Sequence, residues 1–132
     1  MFPSNSRILV VDDMPSMRKL LIKVLNDLGF SDITEASDGS KAWEAIGNAS
    51  PAFDLVFSDW NMPNCTGIDL LKRVRSDSRF SKTPFFMVTG EAENQQIAEA
   101  ARSGVSQYIV KPFTQEVIAE KLKAVYLKIS SV

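Results

Sequence analysis

Residues 55–67 read LVFSDWNMPNCTG. Leu55, Val56 and Phe57 form an apolar run with no polar alternation, as in a strand covered on both faces. The run stops at a single acid, Asp59. An exposed-looking Trp60 and a loop through Pro63, Asn64, Cys65, Thr66 and Gly67 follow. A buried-type strand thus ends by presenting one carboxylate at the mouth of a loop.

The same grammar repeats on both sides. Arg7 to Val11 is a β-branched run that ends at Asp12 and Asp13. From Ser16, the residues Met17, Leu20, Leu21, Val24, Leu25 and Leu28 have helical spacing, and Gly29 ends that helix. Asp32 to Ala36 is a second strand. Asp38 and Gly39 turn the chain into a helix through Trp43 and Ile46, ending near Gly47. The third strand runs from Phe53 to Asp59. Thr66 and Asp69 have the spacing of a capping box ahead of Ile68, Leu70, Leu71 and Val74. Pro84 leads into a fourth strand, Phe85 to Thr89. A helix of small apolar residues follows, with Ile97, Ala98, Ala100 and Ala101, and Gly104 stops it. Gln107 to Val110 is the fifth strand, broken by Lys111 and Pro112. Thr114 caps a last helix with Val117, Ile118, Leu122 and Val125 inward.

Five strands alternating with five helices predict an α/β fold, a single doubly wound (βα)5 domain on a parallel sheet. Right-handed crossovers bring the C-terminal ends of all strands to one edge, where ligands of such folds bind. One domain over residues 1–132, with no output domain, is expected.

Composition narrows the function. The chain has 132 residues, 45% apolar and 23% charged, enough for a core without staples. A net charge of −1 argues against nucleic acid or an anionic membrane as main partner. One cysteine permits no internal disulfide, and no apolar run approaches the ~18 residues of a membrane span. The N-terminus lacks the apolar core of a signal peptide, so a cytoplasmic location is expected. A histidine count of zero excludes a histidine triad, a histidine metal site and a phosphohistidine within the chain.

Four strands deliver polar groups to the shared edge: Asp12 and Asp13, Asp59, Thr89 and Lys111. Were the first and third strands neighbours, three carboxylates would meet, and their mutual repulsion calls for a hard cation with oxygen ligands. Mg²⁺ suits such a site. With Lys111 and the Thr89 hydroxyl, it would receive a phosphoryl group, and Asp59 would be the nucleophile that forms an aspartyl phosphate. Any one of these residues alone reads as a solvated turn or a helix cap; their convergence carries the chemistry.

The stretches VDDMPSMRKLL, FSDWNMPN, MVTGEAEN and YIVKPFT resemble the response-regulator receiver domains, specifically the stand-alone receivers of chemotaxis, from Arg7 to Leu127. The resemblance implies strand order 2-1-3-4-5. It implies phosphorylation on Asp59, and Mg²⁺ held by Asp13, Asp59 and the Asn61 carbonyl, with Asp12 assisting through water. Thr89 would bond the phosphoryl group and Lys111 would pair with it, next to a cis bond to Pro112. Gly90 leaves room there, Asn61 and Glu91 tune phosphate loss, and Tyr108 is the aromatic switch. The partner face would include Glu93, Ile97, Tyr108 and Lys121. A histidine kinase is the implied donor; a flagellar motor switch protein or a phosphatase is an implied partner, and a monomer is expected. Trp60 reads as a semi-exposed reporter, Trp43 as packing and Cys65 as a loop thiol. The fourth helix departs from the motor-binding pattern, which opens on lysines: the stretch GEAENQQIAEA has Glu91, Glu93 and Glu99 and no Lys or Arg until Arg102.

Other readings are a phosphate sink or relay receiver, an aspartate-nucleophile phosphatase of the haloacid-dehalogenase type, and a flavin carrier. The phosphatase pattern places a second acid two residues after the nucleophile, where this chain has Asn61, which cannot shuttle a proton. In the flavin carrier, Asp12 and Asp13 would repel the phosphate.

Overall fold

The computed structural model describes residues 1–90 and 93–130. Its elements are β1 (Arg7–Val11), α1 (Pro15–Asp27), β2 (Asp32–Ala36), α2 (Gly39–Asn48), β3 (Leu55–Ser58), α3 (Gly67–Ser76), β4 (Phe85–Thr89), α4 (Asn94–Arg102), β5 (Gln107–Val110) and α5 (Gln115–Ser130). All strand pairs are parallel and the order is β2-β1-β3-β4-β5, as expected. β3 is shorter than the sequence reading, which leaves Asp59 just beyond its end.

Alternate residues of the central strands feed two cores. Leu9, Val11, Val56, Phe85 and Met87 pack with Ala42 and Ile46 of α2, Leu70, Leu71 and Val74 of α3, and Ala100 of α4. Ile8, Val10, Leu55, Phe57, Phe86 and Val88 pack with Leu21 and Leu25 of α1 and Ile118, Leu122 and Val125 of α5. A strand with period two and cover on both faces needs apolar residues at every position. The edge strands are relieved of this: of the residues of β2 only Ala36 is buried.

The helix ends follow local chemistry. The Asp38 carboxylate accepts from the Lys41 N–H at 2.8 Å, Thr66 Oγ1 from Asp69 N–H at 3.3 Å, and Thr114 Oγ1 from Val117 N–H at 3.2 Å. Gly29 leaves α1 at φ 104°, where a side chain would be strained.

Some side chains depart from expectation. Leu20 is 45% exposed. α1 rests on the sheet mainly through Leu21 and Leu25, and Leu20 lies one residue round the helix from that seam. Trp60 is not semi-exposed but 7% exposed, and Cys65 is a loop thiol, as expected, but a buried one. The loop after β3 folds back over the α2–α3 face and lays Trp60, Met62 and Cys65 into that core. Trp43 packs edge-on to Phe80, 6.1 Å between ring centres, as expected of a packing residue.

Candidate functional site

The strand order does what the site needs. β1 lies beside β3 with Val11 opposite Ser58, so the residues that follow each strand share one rim. The backbone ladder continues one step past the strands: Asp59 N–H donates to Val11 O at 2.9 Å, Asp12 N–H to Ala36 O at 3.2 Å, and Lys111 N–H to Thr89 O at 2.8 Å. These bonds fix the Cα positions of three functional residues before any side chain acts.

Carboxylate oxygens of Asp12, Asp13 and Asp59 lie within 4.8 Å of one another, with Asp12 and Asp59 buried and Asp13 exposed. Lys111 Nζ reaches Asp12 Oδ2 at 2.9 Å and Asp59 Oδ2 at 3.5 Å. One ammonium facing three acids leaves a local excess of negative charge. Asp59 shows the consequence: its carboxyl is raised above the usual 3.8, first by burial, with Lys111 opposing and Asp12 adding to the rise. Its Oδ1 accepts the Trp60 N–H at 2.7 Å. Asp12 is held on both sides, by the Met14 N–H at 2.9 Å and by Lys111.

A cation fits this arrangement. Three hard carboxylates converge from two strands, one of them open to solvent, and among the described residues Lys111 is the cation that pairs with them. That donor set suits an oxygen-seeking divalent ion that keeps part of its water. The void beneath Asp12, Asp59 and Lys111 holds only about 10 Å³.

The other sequence candidates are placed as follows. Thr89 ends β4 and is 1% exposed. A Cβ on Gly90 would meet nothing within 4 Å, which agrees with open space above the rim. Asn61 is exposed on the loop after Asp59. The Lys111–Pro112 bond is cis. Tyr108, paired with Met87 across β4–β5, is half-buried against the α2–α3–α4 core. Glu93 at the N-cap of α4 and Ile97 within α4 are exposed, Val110 at the end of β5 is exposed, and Lys121 is half-buried on α5. Glu91 lies outside the described residues. Glu99, counted with the α4 acids, is paired with Lys72 of α3 at 3.1 Å, so its charge is compensated.

Sequence reasoning missed three supports. Arg18 Nη1 donates to Asp12 O at 2.8 Å while its Nε donates to Glu35 at 2.8 Å, bracing the acidic end of β1. Gly67 is pressed against the Asp59 backbone: a Cβ there would lie inside the carbonyl oxygen and 2.9 Å from its carbon. Asn64 donates to the Asp38 carboxylate at 3.0 Å. Only Gly67 had a sequence signal, as the glycine that closes the loop after Asp59.

Residues 8–123 match the family described as response regulator receiver domain, and the chain belongs to that family. Its fold and acidic rim define a CheY-like receiver. It is 45% identical over 124 residues to the chemotaxis protein CheY of Pseudomonas aeruginosa, covering 94% of this chain and 98% of that one. It superposes on the chemotaxis response regulator CheY4 of Vibrio cholerae with TM-score 0.82 and 34% identity, over 92% and 98% of the two chains. A chain of the CheX–CheY–BeF3–Mg²⁺ complex from Borrelia burgdorferi matches with TM-score 0.85 at 26% identity, covering 92% of this chain and 89% of that one.

Proposed function

We propose that this receiver is a chemotaxis response regulator that accepts a phosphoryl group on Asp59 from a histidine kinase and then changes its partner face. The carrying observation is the convergence of Asp12, Asp13 and Asp59 with Lys111 on the rim shared by β1, β3 and β5. Asp59 supplies the attacking carboxylate oxygen: its bond to phosphorus forms as the donor's phosphorus–nitrogen bond breaks and the imidazole leaves. Trp60 N–H holds one Asp59 oxygen and so fixes the direction of the carboxylate. Lys111 sits on the other and offers charge to the incoming phosphoryl oxygens. The Thr89 hydroxyl serves as their hydrogen-bond donor, which draws the end of β4 toward the rim and lets Tyr108 turn inward. Asp12, Asp13, Asp59 and the Asn61 carbonyl would hold Mg²⁺, which when bound neutralises charge on the phosphoryl oxygens. The B. burgdorferi CheX–CheY–BeF3–Mg²⁺ complex supports this choice of ion.

The receiver acts as a phospho-accepting switch and not as a phosphatase that turns over free substrates. Asn61 stands where the phosphatase needs its acid. The test is incubation with a small acyl phosphate and Mg²⁺, followed by intact mass and peptide mapping. One phosphoryl group on the Asp59 peptide is expected; labelling elsewhere refutes the assignment. Mg²⁺ alone should already bind. Trp60 adjoins the acids, so its fluorescence should follow a Mg²⁺ titration, and Asp13→Ala should weaken the ion by about tenfold or more, one charged ligand of a small set. An unaltered titration in that variant would remove Asp13 from the metal site.

Output passes by protein contact, which the existence of a CheX–CheY complex supports, and the face we assign to it is built from α4, β5 and α5. Ile97 and Val110 give this face exposed apolar area, and Lys121 adds a cation. Glu93 is the acid that remains unpaired among the described α4 positions, exposed at the helix N-cap without a side-chain capping bond. An acidic amphipathic motor-switch peptide would meet like charge there, at about 0.2–1 kcal/mol for an exposed contact. The pairing of Glu99 with Lys72 reduces the penalty below what three free acids would give. The expected result is that Glu93→Lys tightens such a peptide by about threefold at low salt, with the gain lost at high salt. No gain would mean that Tyr108 and Lys121 decide partner choice, and a sink or relay role would lose its support.

A further inference from the structure

The loop from Asn61 to Thr66 carries one proposed cation ligand, yet none of its residues belongs to a helix or strand. At its base, Gly67 N–H donates to Trp60 O at 2.9 Å. At its tip it is tied to a different element. Asp38, the N-cap of α2, is buried and splits its carboxylate between two partners: Oδ1 accepts the Lys41 N–H at 2.8 Å and Oδ2 accepts the Asn64 amide at 3.0 Å. Both bonds pull its carboxyl below the usual 3.8, the Lys41 bond most. The adjoining backbones are in tight contact. A Cβ on Gly39 would strike the Cys65 carbonyl and lie 2.8 Å from the Cys65 side chain. Asn64 itself has φ 69°, a left-handed turn that points its amide back toward α2.

We infer that Asp38 and Asn64 form a positioning brace, in which the cap of α2 sets the shape of the β3–α3 loop and thereby presents the Asn61 carbonyl to the cation. A helix cap needs one carboxylate oxygen; Asp38 has a second, and it is spent on the loop. A Ser or Thr would cap α2 equally well but has no oxygen to reach Asn64. With the brace intact, Asn61 is ordered before the ion arrives. Without it, the ion must order the loop as it binds, and affinity falls. This inference rests on the proposed metal site.

The test is a double-mutant cycle on Mg²⁺ affinity, read by Trp60 fluorescence. Asn64→Gly keeps the left-handed backbone and removes the amide. Asp38→Ser keeps the cap and removes the second oxygen. Each should weaken Mg²⁺ by about fivefold, the worth of one side-chain hydrogen bond. Asp38→Ser also removes a charge, which acts on the ion whether or not Asn64 is present. The diagnostic quantity is therefore the coupling: in the Asp38→Ser background, Asn64→Gly should cost nothing further. Urea midpoints of Asn64→Gly should stay near wild type, which separates positioning from folding. Affinity within twofold of wild type in Asn64→Gly, or fully additive losses, overturns the brace. Wild type that fails to bind Mg²⁺ would instead overturn the metal site itself.

Discussion

Asp59→Ala will take up no phosphoryl group, and it will be more stable than wild type at neutral pH. The first half follows from how the neighbouring acids are committed. Asp12 has one oxygen on the Met14 N–H and the other on Lys111, so neither is free to attack. Asp13 is exposed, whereas the ion pairs of Lys111 are with Asp12 and Asp59. The Asp59 oxygens meet one backbone N–H at 2.7 Å and an ammonium at the longer distance of 3.5 Å, so Oδ2 is the less committed of the two. Intact mass after incubation with an acyl phosphate and Mg²⁺ measures the loss; labelling at the wild-type level would end the assignment. The second half follows from the raised carboxyl. The folded protein holds that proton more tightly than the unfolded chain, so ionising Asp59 costs stability. The cost is absent below the usual 3.8, grows as pH rises through the window up to the folded value, and is complete above it. Removing the group removes the cost, and Asp59→Asn should show it most cleanly because it leaves no cavity. Urea unfolding without Mg²⁺ reads the gain at pH 7 and its disappearance in acid. A variant less stable than wild type at pH 7 would show that Lys111 more than balances burial. Such instability at the reacting group is what a site built for charge chemistry should show.

Much of this was legible before any coordinates. The apolar runs at Leu9–Val11 and Leu55–Phe57 could only be strands covered on both faces, and helices between them forced a parallel sheet with its polar ends gathered. That reasoning reached Asp12, Asp13, Asp59, Thr89 and Lys111, each at the end of a strand or within two residues of it. What escaped it were contacts that depend on where two backbones meet. Trp60 reads as a loop residue because it follows an acid and precedes Asn61 and Pro63. Its burial comes from the loop's return over α2 and α3, which local pattern does not encode. Glu99 reads as one of a row of acids until Lys72 on α3 is seen across from it. The second oxygen of Asp38 is likewise silent in sequence, since a capping Asp looks the same with or without Asn64.

Gly67→Ala tests how closely the site depends on one such backbone contact. Gly67 opens α3, and its Cα rests on the peptide of Asp59. An added Cβ would overlap the Asp59 carbonyl oxygen, approach its carbon at 2.9 Å and touch Met87 Sδ at 3.0 Å. The methionine can yield, because its side chain is flexible. The carbonyl cannot, because Asp59 is pinned on its other side by its N–H bond to Val11 O at 2.9 Å. Either α3 lifts from the sheet and exposes Ile68, Leu71 and Val74, or Asp59 leaves the rim. Overpacking of this kind costs about 3 kcal/mol, and a displaced nucleophile slows phosphoryl uptake by about tenfold or more. Gly47→Ala is the control: it lies in α2, a Cβ there meets nothing within 4 Å, and the change should stabilise by about 0.5–1 kcal/mol. Urea unfolding of both variants, with initial rates of phosphorylation at matched folded fraction, separates the two consequences. A Gly67→Ala protein as stable and as rapidly phosphorylated as wild type would mean that α3 can shift without disturbing Asp59, and that the base of the loop does not hold the nucleophile in place.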